Sequence, residues 1–340
     1  MHTTIPDPNP THRLSLARIA EAAQCIDPVF LHSPQYSCEP LGELLKCDVT
    51  LKVETQNPIR SFKGRGADYF VGKFLEENEA RQMVCASAGN FGQALAYACR
   101  KHKIPLVIYA ARNANPLKVS RMRALGAEVR LEGGDFDAAK VAAKVWASST
   151  GVTMIEDGNQ AEIAEGAGSI AVELLAESRP FDAVLIPLGN GALLTGMARW
   201  IKAKSPSTRV IGVVSAGATA MQESWRKGAI VSHAGTDTIA DGIAVREPIA
   251  EAVADMQGIV DDVIAVEDRN ILQAMRLLHA HAGVVVEPAG AAGLAAMLGP
   301  SAGHFTGQPM RIATVLCGGN LTPQQMQSWL SAPSATSADN

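Results

Sequence analysis

The sequence predicts an α/β protein with two lobes, each built on a mostly parallel, twisted sheet that helices cover. Strand-like apolar runs alternate with amphipathic helical stretches along nearly the whole chain, which is the pattern of parallel sheets. A chain of 340 residues also exceeds the size at which one hydrophobic core usually stops growing, so two lobes around a cleft are expected. With 47% hydrophobic and 19% charged residues, the composition excludes a disordered chain.

The individual elements are predicted from short apolar runs and from apolar residues at helical spacing. The predicted strands are Val49–Glu54, Gln82–Ala86, Pro105–Ala110, Glu128–Glu132, Val152–Glu156, Ala183–Pro187, Val210–Ser215, Asp262–Val266 and Ile312–Leu316. Between them lie predicted helices such as Phe91–His102, Pro116–Leu125, Phe136–Ala147, Ile163–Ala176, Leu194–Ala203 and Asn270–His281. Pro116 is suited to the first turn of a helix and Gly126 to its end, which supports the helix between them.

The charge and cysteine patterns exclude several classes of function. The formal net charge is -4 and the Lys and Arg residues are scattered, so no nucleic-acid partner and no membrane partner are expected. No apolar run approaches the ~20 residues that span a bilayer, and the first residues lack the apolar core of an export signal. The six cysteines lack a zinc-type spacing, so no metal site is predicted. A cytoplasmic location, where thiols stay reduced, fits this pattern best.

The stretch Ser61-Phe62-Lys63-Gly64-Arg65-Gly66 places a lysine among small and turn-forming residues just after a strand-like run. Such a lysine can present its amine to an aldehyde, as the cofactor pyridoxal 5'-phosphate requires. The alternative is a solvated surface lysine, which is the usual state of this residue type. Three further segments, each after a strand-like run, offer contacts for the other edges of the cofactor and favour the catalytic interpretation.

The first of these segments is a glycine-rich turn, Gly189-Asn190-Gly191-Ala192-Leu193, between the predicted strand Ala183–Pro187 and a helix that starts near Leu193. Several backbone N–H groups can converge at such a helix N-terminus, which is suited to a phosphate. A plain strand-to-helix turn and a nucleotide site are the alternatives. The spacing matches neither the dinucleotide glycine pattern nor a P-loop.

Two more strand ends carry candidate contacts. In Ser87-Ala88-Gly89-Asn90-Phe91-Gly92-Gln93, the backbone N–H groups are candidates to hold a substrate carboxylate, and the Asn90 side chain is a candidate to reach the ring hydroxyl of the cofactor. The alternative is an N-capping turn made by Ser87 or Asn90. Cys317 ends the predicted strand Ile312–Leu316, where its thiol can face the ring nitrogen or can be a buried, inert side chain.

In order and spacing, these four motifs resemble the threonine dehydratase and serine racemase group of fold type II pyridoxal phosphate enzymes. The resemblance covers roughly residues 25 to 325 and includes two further stretches, Thr238–Val245 and Val286–Ala292. It implies a large cofactor-binding lobe made of residues 1–79 and 151–340, and a small mobile lobe made of residues 80–150. It also implies a homodimer.

The same resemblance implies a role for each candidate residue. Lys63 would form a Schiff base with the cofactor, Phe62 would pack on the ring, and Cys317 would contact the ring nitrogen. Asn90 would contact the ring hydroxyl, while Gly242 and Glu287 would lie near the ring. The residues implied to hold the phosphate are Gly189, Asn190, Gly191, Ala192 and Leu193. The residues implied to bind the substrate are Ser87, Ala88, Gly89, Asn90 and Phe91.

The activity implied by the resemblance is α,β-elimination from a β-hydroxy-α-amino acid, which gives a 2-oxo acid and ammonia. Lys63, released by the incoming amino acid, would be the base at the α-carbon. A neutral thiol at the ring nitrogen makes the ring a weaker electron sink than a carboxylate would, which suits elimination. L-Threonine and L-serine are the expected small-molecule substrates. L-threo-phenylserine is the main rival, because its ring can stack on Phe91, which stands where many dehydratases have histidine.

Several positions depart from the family pattern. Ala88 stands where racemases of this group carry a second serine, so little racemisation is expected. The acidic residues that hold a divalent metal after the strand Val210–Ser215 are missing, and the segment Glu156–Gln160 differs from the usual substrate-facing segment. The alternatives are a 3-hydroxyaspartate dehydratase, a serine racemase-like enzyme, a cysteine synthase-like transferase and a non-catalytic anion-binding protein. No regulatory domain is expected after the catalytic region.

Overall fold

The computed structural model describes residue 7 and residues 9–79, 81–176, 179–305 and 309–331. The strands are β1 (Gln35–Ser37), β2 (Asp48–Val53), β3 (Met83–Ala86), β4 (Leu106–Ala110), β5 (Glu128–Leu131), β6 (Thr153–Ile155), β7 (Ala183–Pro187), β8 (Arg209–Ser215), β9 (Asp262–Val266) and β10 (Arg311–Leu316). The helices are α1 (Leu16–Cys25), α2 (Glu39–Leu45), α3 (Lys63–Glu77), α4 (Asn90–Lys101), α5 (Pro116–Ala124), α6 (Phe136–Thr150), α7 (Ala161–Leu174), α8 (Ala192–Lys204), α9 (Ala220–Lys227), α10 (Ala250–Met256), α11 (Asp268–Ala282), α12 (Pro288–Ala295) and α13 (Pro323–Leu330).

The strands form two sheets. The larger sheet has the order β1-β2-β10-β7-β8-β9, in which β1 is antiparallel to β2 and the other neighbours are parallel. The smaller sheet has the order β5-β4-β3-β6 and its pairs are parallel. Strands β7 and β10 are buried along their whole length, as expected of parallel strands with helices on both faces. The predicted α/β class with mostly parallel sheets is confirmed. In the described ranges no helix is both long and apolar enough to cross a bilayer.

The strand order brings distant parts of the chain to one edge of the larger sheet. Strand β10 lies between β2 and β7, with Leu316 opposite Val53 and Ala313 opposite Val184. Because the carboxyl ends of parallel strands meet at the same edge of a sheet, the segments after β2, β7 and β10 emerge side by side. The segments after β3 and β6 of the smaller sheet face the same space.

Helix α3, which begins at Lys63, is not among the helices that the sequence predicts. Its first turn contains Gly64 and Gly66, which have low helix propensity. The helix forms because it packs against α4 and α7, and every residue from Gly64 to Val71 is buried. Tertiary packing of this kind supplies most of the stability of helices in proteins. The lysine therefore stands at the N-terminus of a buried helix.

Four charged side chains, Lys52, Glu54, Arg65 and Glu173, form a buried ion cluster between β2, α3 and α7. Arg65 is fully buried and donates to Glu54 at 2.8 and 2.9 Å and to Glu173 at 2.6 and 2.9 Å. Lys52 donates to the same Glu173 carboxylate at 2.6 Å. Buried charges need this degree of pairing, because each has lost its hydration. The cluster anchors α3 two residues after Lys63.

We expect acid to destabilise the fold through Glu173. Burial alone would raise its pKa, but the hydrogen bonds and charges of Arg65 and Lys52 outweigh burial and lower the pKa from 4.5 to about 2. Because the unfolded chain then binds the proton more readily, this stability is complete above about pH 4.5 and falls by about 3 kcal/mol as the pH approaches 2. Urea midpoints measured from pH 6 to pH 3 should fall less for Glu173→Gln than for the wild type. Parallel pH curves for the two proteins would contradict this.

Candidate active site

A cavity of about 540 Å³ lies between the carboxyl edges of the two sheets. Its wall comes from the segments after β3, β4, β5 and β6 on one side and from those after β2, β7, β8, β9 and β10 on the other. The predicted site residues in this wall are Phe62, Lys63, Ser87, Ala88, Gly89, Asn90, Phe91, Asn190, Gly242, Glu287 and Cys317. The predicted phosphate-loop residues that flank Asn190 in the chain without lining the cavity are Gly189, Gly191, Ala192 and Leu193.

Lys63 ends inside the cavity, and its side chain is only 15% exposed. Two hydrogen bonds fix the segment that leads to it: the Phe62 N–H donates to the Cys317 carbonyl over 3.0 Å, and the Ser61 hydroxyl donates to the same oxygen over 3.2 Å. The amine contacts a carboxylate oxygen of Asp157 and lies 4.7 Å from the centre of the Phe62 ring. The segments after β2, β6 and β10 together therefore determine where the amine lies.

The turn after β7 forms a cradle of backbone donors, which consists of the N–H groups from Gly189 to Leu194. Within the described part of the chain, none of these N–H groups has a protein acceptor. They lie at the N-terminus of α8, a helix of 13 residues with no acidic side chain in its first turn, so the helix dipole favours an anion there. Gly191 has a φ of 100°, a left-handed conformation that favours glycine. The donor cradle fits a phosphate.

A buried polar network lies in the wall where α4 meets the segment after β10. The Asn90 amide donates to one Glu287 oxygen at 2.5 Å and accepts from the Asn320 amide at 2.8 Å. The backbone N–H of Asn320 donates to the other Glu287 oxygen at 3.2 Å. Burial, reinforced by the charge of Asp241, raises the pKa of Glu287, although Lys118 and Asn90 act in the opposite direction. Burial is therefore the main influence on the pKa of this carboxyl group beside the cavity.

Cys317 directly follows β10 and is buried in the cavity wall. Burial, reinforced by the charge of Glu287, raises the pKa of the thiol far above its usual range. The thiol therefore stays protonated at neutral pH. It offers the cavity an uncharged, weakly polar group.

The loop from Ser87 to Phe91 satisfies part of its own backbone. The Ser87 hydroxyl accepts from the N–H groups of Gly89 and Gly92 at 3.2 and 2.9 Å. This is a capping turn, which the sequence analysis gives as the alternative to a site for the substrate carboxylate. It leaves the N–H groups of Gly89 and Gly92 unavailable to that carboxylate. The loop donors that have no protein acceptor among the described residues are the N–H groups of Ala88, Asn90 and Phe91.

The cavity also contains charged residues to which the sequence analysis gives no role. Lys118 contacts Asp241 at 2.5 Å, and Arg246 contacts Asp137. Such pairs join residues far apart in the chain, so no local pattern indicates them. The one sequence signal for Asp157 is its place in the segment that departs from the family pattern. Although carboxylates are numerous here, no group of three or more His, Cys, Asp or Glu side chains in the described ranges is arranged to hold a metal ion.

Comparisons with known proteins give matches over most of the chain. The family model described as Pyridoxal-phosphate dependent enzyme matches residues 26–318. The L-threonine ammonia-lyase of Thermotoga maritima is 33% identical over 308 residues, which are 91% of this chain and 76% of that protein. Among solved structures, maize serine racemase has a TM-score of 0.85 at 28% identity and covers 93% of this chain and 96% of its own. The processed form of threonine deaminase isoform 2 from Solanum lycopersicum has a TM-score of 0.84 at 26% identity, with coverage of 92% and 93%.

Proposed function

This chain belongs to the family of pyridoxal-phosphate dependent enzymes, within its threonine and serine ammonia-lyase group, and from that premise we propose that it converts L-threonine or L-serine to a 2-oxo acid and ammonia. The resemblance predicted from the four motifs is confirmed, as is the predicted cofactor, pyridoxal 5'-phosphate. The observation that carries the proposed reaction is a cavity lined by the Lys63 side chain, by Asn190 of the donor cradle and by the neutral thiol of Cys317.

The residues present fit the cofactor. The donor cradle from Gly189 to Leu194 would hold its phosphate, because unpartnered N–H groups at a helix N-terminus favour a dianion. Lys63 would hold its aldehyde carbon covalently, and the neutral thiol of Cys317 would lie against its ring nitrogen. Asn90, at the start of α4, would contact the ring hydroxyl while it stays bound to Glu287.

The chemistry follows from the groups that the chain places around the substrate. When bound, the cofactor supplies a ring that withdraws electrons from the α-carbon of an attached amino acid. The Lys63 side chain, as a free amine, would lie next to that carbon and would take the α-proton. The free N–H groups of the loop 88–91 hold the substrate carboxylate. Because Cys317 carries no charge, it does not hold a proton on the ring nitrogen as a carboxylate would, which favours elimination.

Two observations disfavour the alternative reactions. Ala88 lines the cavity and has no group that can exchange a proton with the second face of the α-carbon, which supports elimination over racemisation. A 3-hydroxyaspartate substrate would bring a second carboxylate. The cavity cations Lys118 and Arg246 are already paired with protein carboxylates, which does not favour such a substrate.

A second candidate substrate is L-threo-phenylserine. Phe91 and Phe136 both line the cavity, so an aromatic β-substituent has rings on which to stack. The reaction and the catalytic lysine would be the same for this substrate. Phenylserine and threonine differ in the β-substituent, so only the part of the cavity wall that faces this substituent can favour one substrate over the other.

We expect the pyridoxal-phosphate-loaded protein to release 2-oxo acid and ammonia in equal amounts from L-threonine or L-serine. A panel of L-threonine, L-serine, L-threo-phenylserine and L-threo-3-hydroxyaspartate, assayed for both products, identifies the substrate. The remaining amino acid is analysed for its chirality after incubation in D2O, and sulfide is added in a parallel assay. Inverted amino acid with little oxo acid would instead indicate a racemase, and product formed only with consumption of sulfide would indicate a transferase. No product from the whole panel would contradict the proposal.

Assembly, lobe movement and location belong to the same proposal. We expect a homodimer in which residues 80–150 move as a small lobe relative to residues 1–79 and 151–340. Cytoplasmic location is supported by the six cysteines, which are free and, apart from Cys25, buried.

A further inference from the structure

Asp157 places a carboxylate against the reactive amine. It lies in the turn between β6 and α7, and one of its oxygens contacts the Lys63 amine. Its other oxygen, Oδ1, is buried and has no hydrogen-bond partner among the described residues. The side chain is 10% exposed, so water cannot compensate fully for a missing partner. Asp157 therefore depends on the cation in front of it.

The turn that carries Asp157 is held in place on both sides. The Glu156 N–H donates to the Gln160 side chain at 3.0 Å, and the Asn159 N–H donates to the Glu156 carbonyl at 3.1 Å. Gly158 has a φ of 92°, and a Cβ there would lie 2.4 Å from the carbonyl oxygen of Asn190. The turn is thus packed directly on the segment that carries the donor cradle. The backbone of Asp157 therefore cannot move away from the amine without disturbing this packing.

The other cations in the cavity wall have carboxylate partners of their own. Lys140 contacts Glu156 at 2.6 Å, Lys118 contacts Asp241 at 2.5 Å, and Arg246 contacts Asp137. None of these cations contacts Asp157 in the described part of the chain. A Lys63 nitrogen bonded to the cofactor would have at most one proton to donate, whereas a free ammonium group has three, so Asp157 with its unpartnered Oδ1 would keep room for a second cation. A buried carboxylate oxygen without a partner is costly unless another cation arrives.

We propose that Asp157 binds the ammonium group of the substrate amino acid. The proposal rests on the proposed function. In that function the substrate amine has to reach the cofactor carbon to which the Lys63 amine would be bonded. A carboxylate already in contact with Lys63 is therefore within reach of the incoming nitrogen as well. It attracts the ammonium group while the loop donors of residues 88–91 hold the substrate carboxylate. After the exchange, the released Lys63 amine returns to the same carboxylate. Asp157 thus selects amino acids over acids that lack the amine.

The test compares two ligands that differ in the amine. L-Alanine has an ammonium group and no β-hydroxyl to lose, and propionate has the same carbon skeleton without the amine. Calorimetric titration of the pyridoxal-phosphate-loaded wild type should show tighter binding of L-alanine than of propionate. Asp157→Asn should weaken L-alanine binding at least tenfold, because a charged hydrogen bond is lost, and should change propionate binding less than twofold. Asp157→Ser provides a second uncharged side chain in case the first variant does not fold.

The matched control is Glu156→Gln, which removes a carboxylate from the adjacent residue of the same turn. Lys140 and Lys144 already neutralise Glu156, so we expect less than a twofold change for either ligand. Equal loss of both ligands in Asp157→Asn, unchanged L-alanine binding, or a wild type that does not prefer L-alanine would overturn the proposal. The two ligands are not eliminated, so the result is separate from the substrate panel. Asp157-dependent binding without any oxo acid product would contradict the ammonia-lyase function and leave the ammonium site in place.

Discussion

Lys63→Ala is expected to lower the rate of 2-oxo acid formation about a thousandfold or more. The substitution removes the amine that we propose holds the cofactor and acts as the base at the α-carbon, and a positioned base alone contributes about 10²- to 10⁴-fold. The same variant should carry no cofactor after borohydride reduction and denaturation, whereas the wild type should keep it attached. Product release and the mass of the reduced chain measure the two effects separately.

Lys73→Ala is the matched control, because Lys73 lies on the same helix, α3, and faces Glu21 and Glu76 outside the cavity. We expect wild-type turnover and normal cofactor attachment in this variant. If Lys63→Ala kept both full turnover and the covalent attachment, the assignment of the reactive amine would be wrong. If Lys63→Ala lost the covalent attachment but kept full turnover, only the role of Lys63 as the base would be contradicted.

Arg65→Met is expected to lower the free energy of unfolding by about 3–5 kcal/mol, the usual effect of removing one partner from a buried ion pair. Arg65 is fully buried, and its removal leaves the carboxylates of Glu54 and Glu173 together without their main cation. Lys52 still contacts Glu173, but the described structure shows no other cation on Glu54. Urea unfolding of the cofactor-loaded protein, followed by circular dichroism, measures the change.

Arg81→Met removes an exposed arginine that contacts Glu79, and exposed pairs of this kind contribute less than about 1 kcal/mol. The double variant Arg65→Met with Glu54→Gln should regain part of the lost stability, because it no longer buries an unpaired charge. Equal urea midpoints for Arg65→Met and Arg81→Met would show that the buried ion cluster is not important for stability.

The buried parallel strands are the part of the fold that the sequence predicts best. Strands β7 and β9 begin and end at the predicted residues, and β10 begins one residue earlier than predicted. These strands are short apolar runs because helices cover both faces of the sheet, so the pattern does not depend on which neighbour each strand pairs with.

Two of the elements that the sequence does not predict lack a periodic pattern. Strand β1 has only three residues, lies at the edge of the sheet and has mostly exposed side chains. Helix α12 is buried along its whole length and consists largely of Ala and Gly, so it has no polar face that would reveal the helical period. In both cases the contacts with neighbouring elements, and not the local sequence, determine the structure.

The candidate site also has one part that the sequence predicts and another part that it does not predict. The lysine and the glycine turns are local features that follow strands, and parallel strands bring such features together at one edge. Asp157 is 94 positions from Lys63, and Lys118 is 123 positions from Asp241. These ion pairs depend on how the two sheets face each other, which one sequence without its structure does not specify.

Strand β10 is the last of the described strands in chain order, yet it lies within the larger sheet between β2 and β7. The carbonyl that fixes Ser61 belongs to a residue 256 positions further along the chain. Until β10 has been synthesised and inserted, the nascent chain therefore lacks part of the proposed place for the vitamin B6 group. We therefore expect this group to be captured only after the central strand β10 has been inserted.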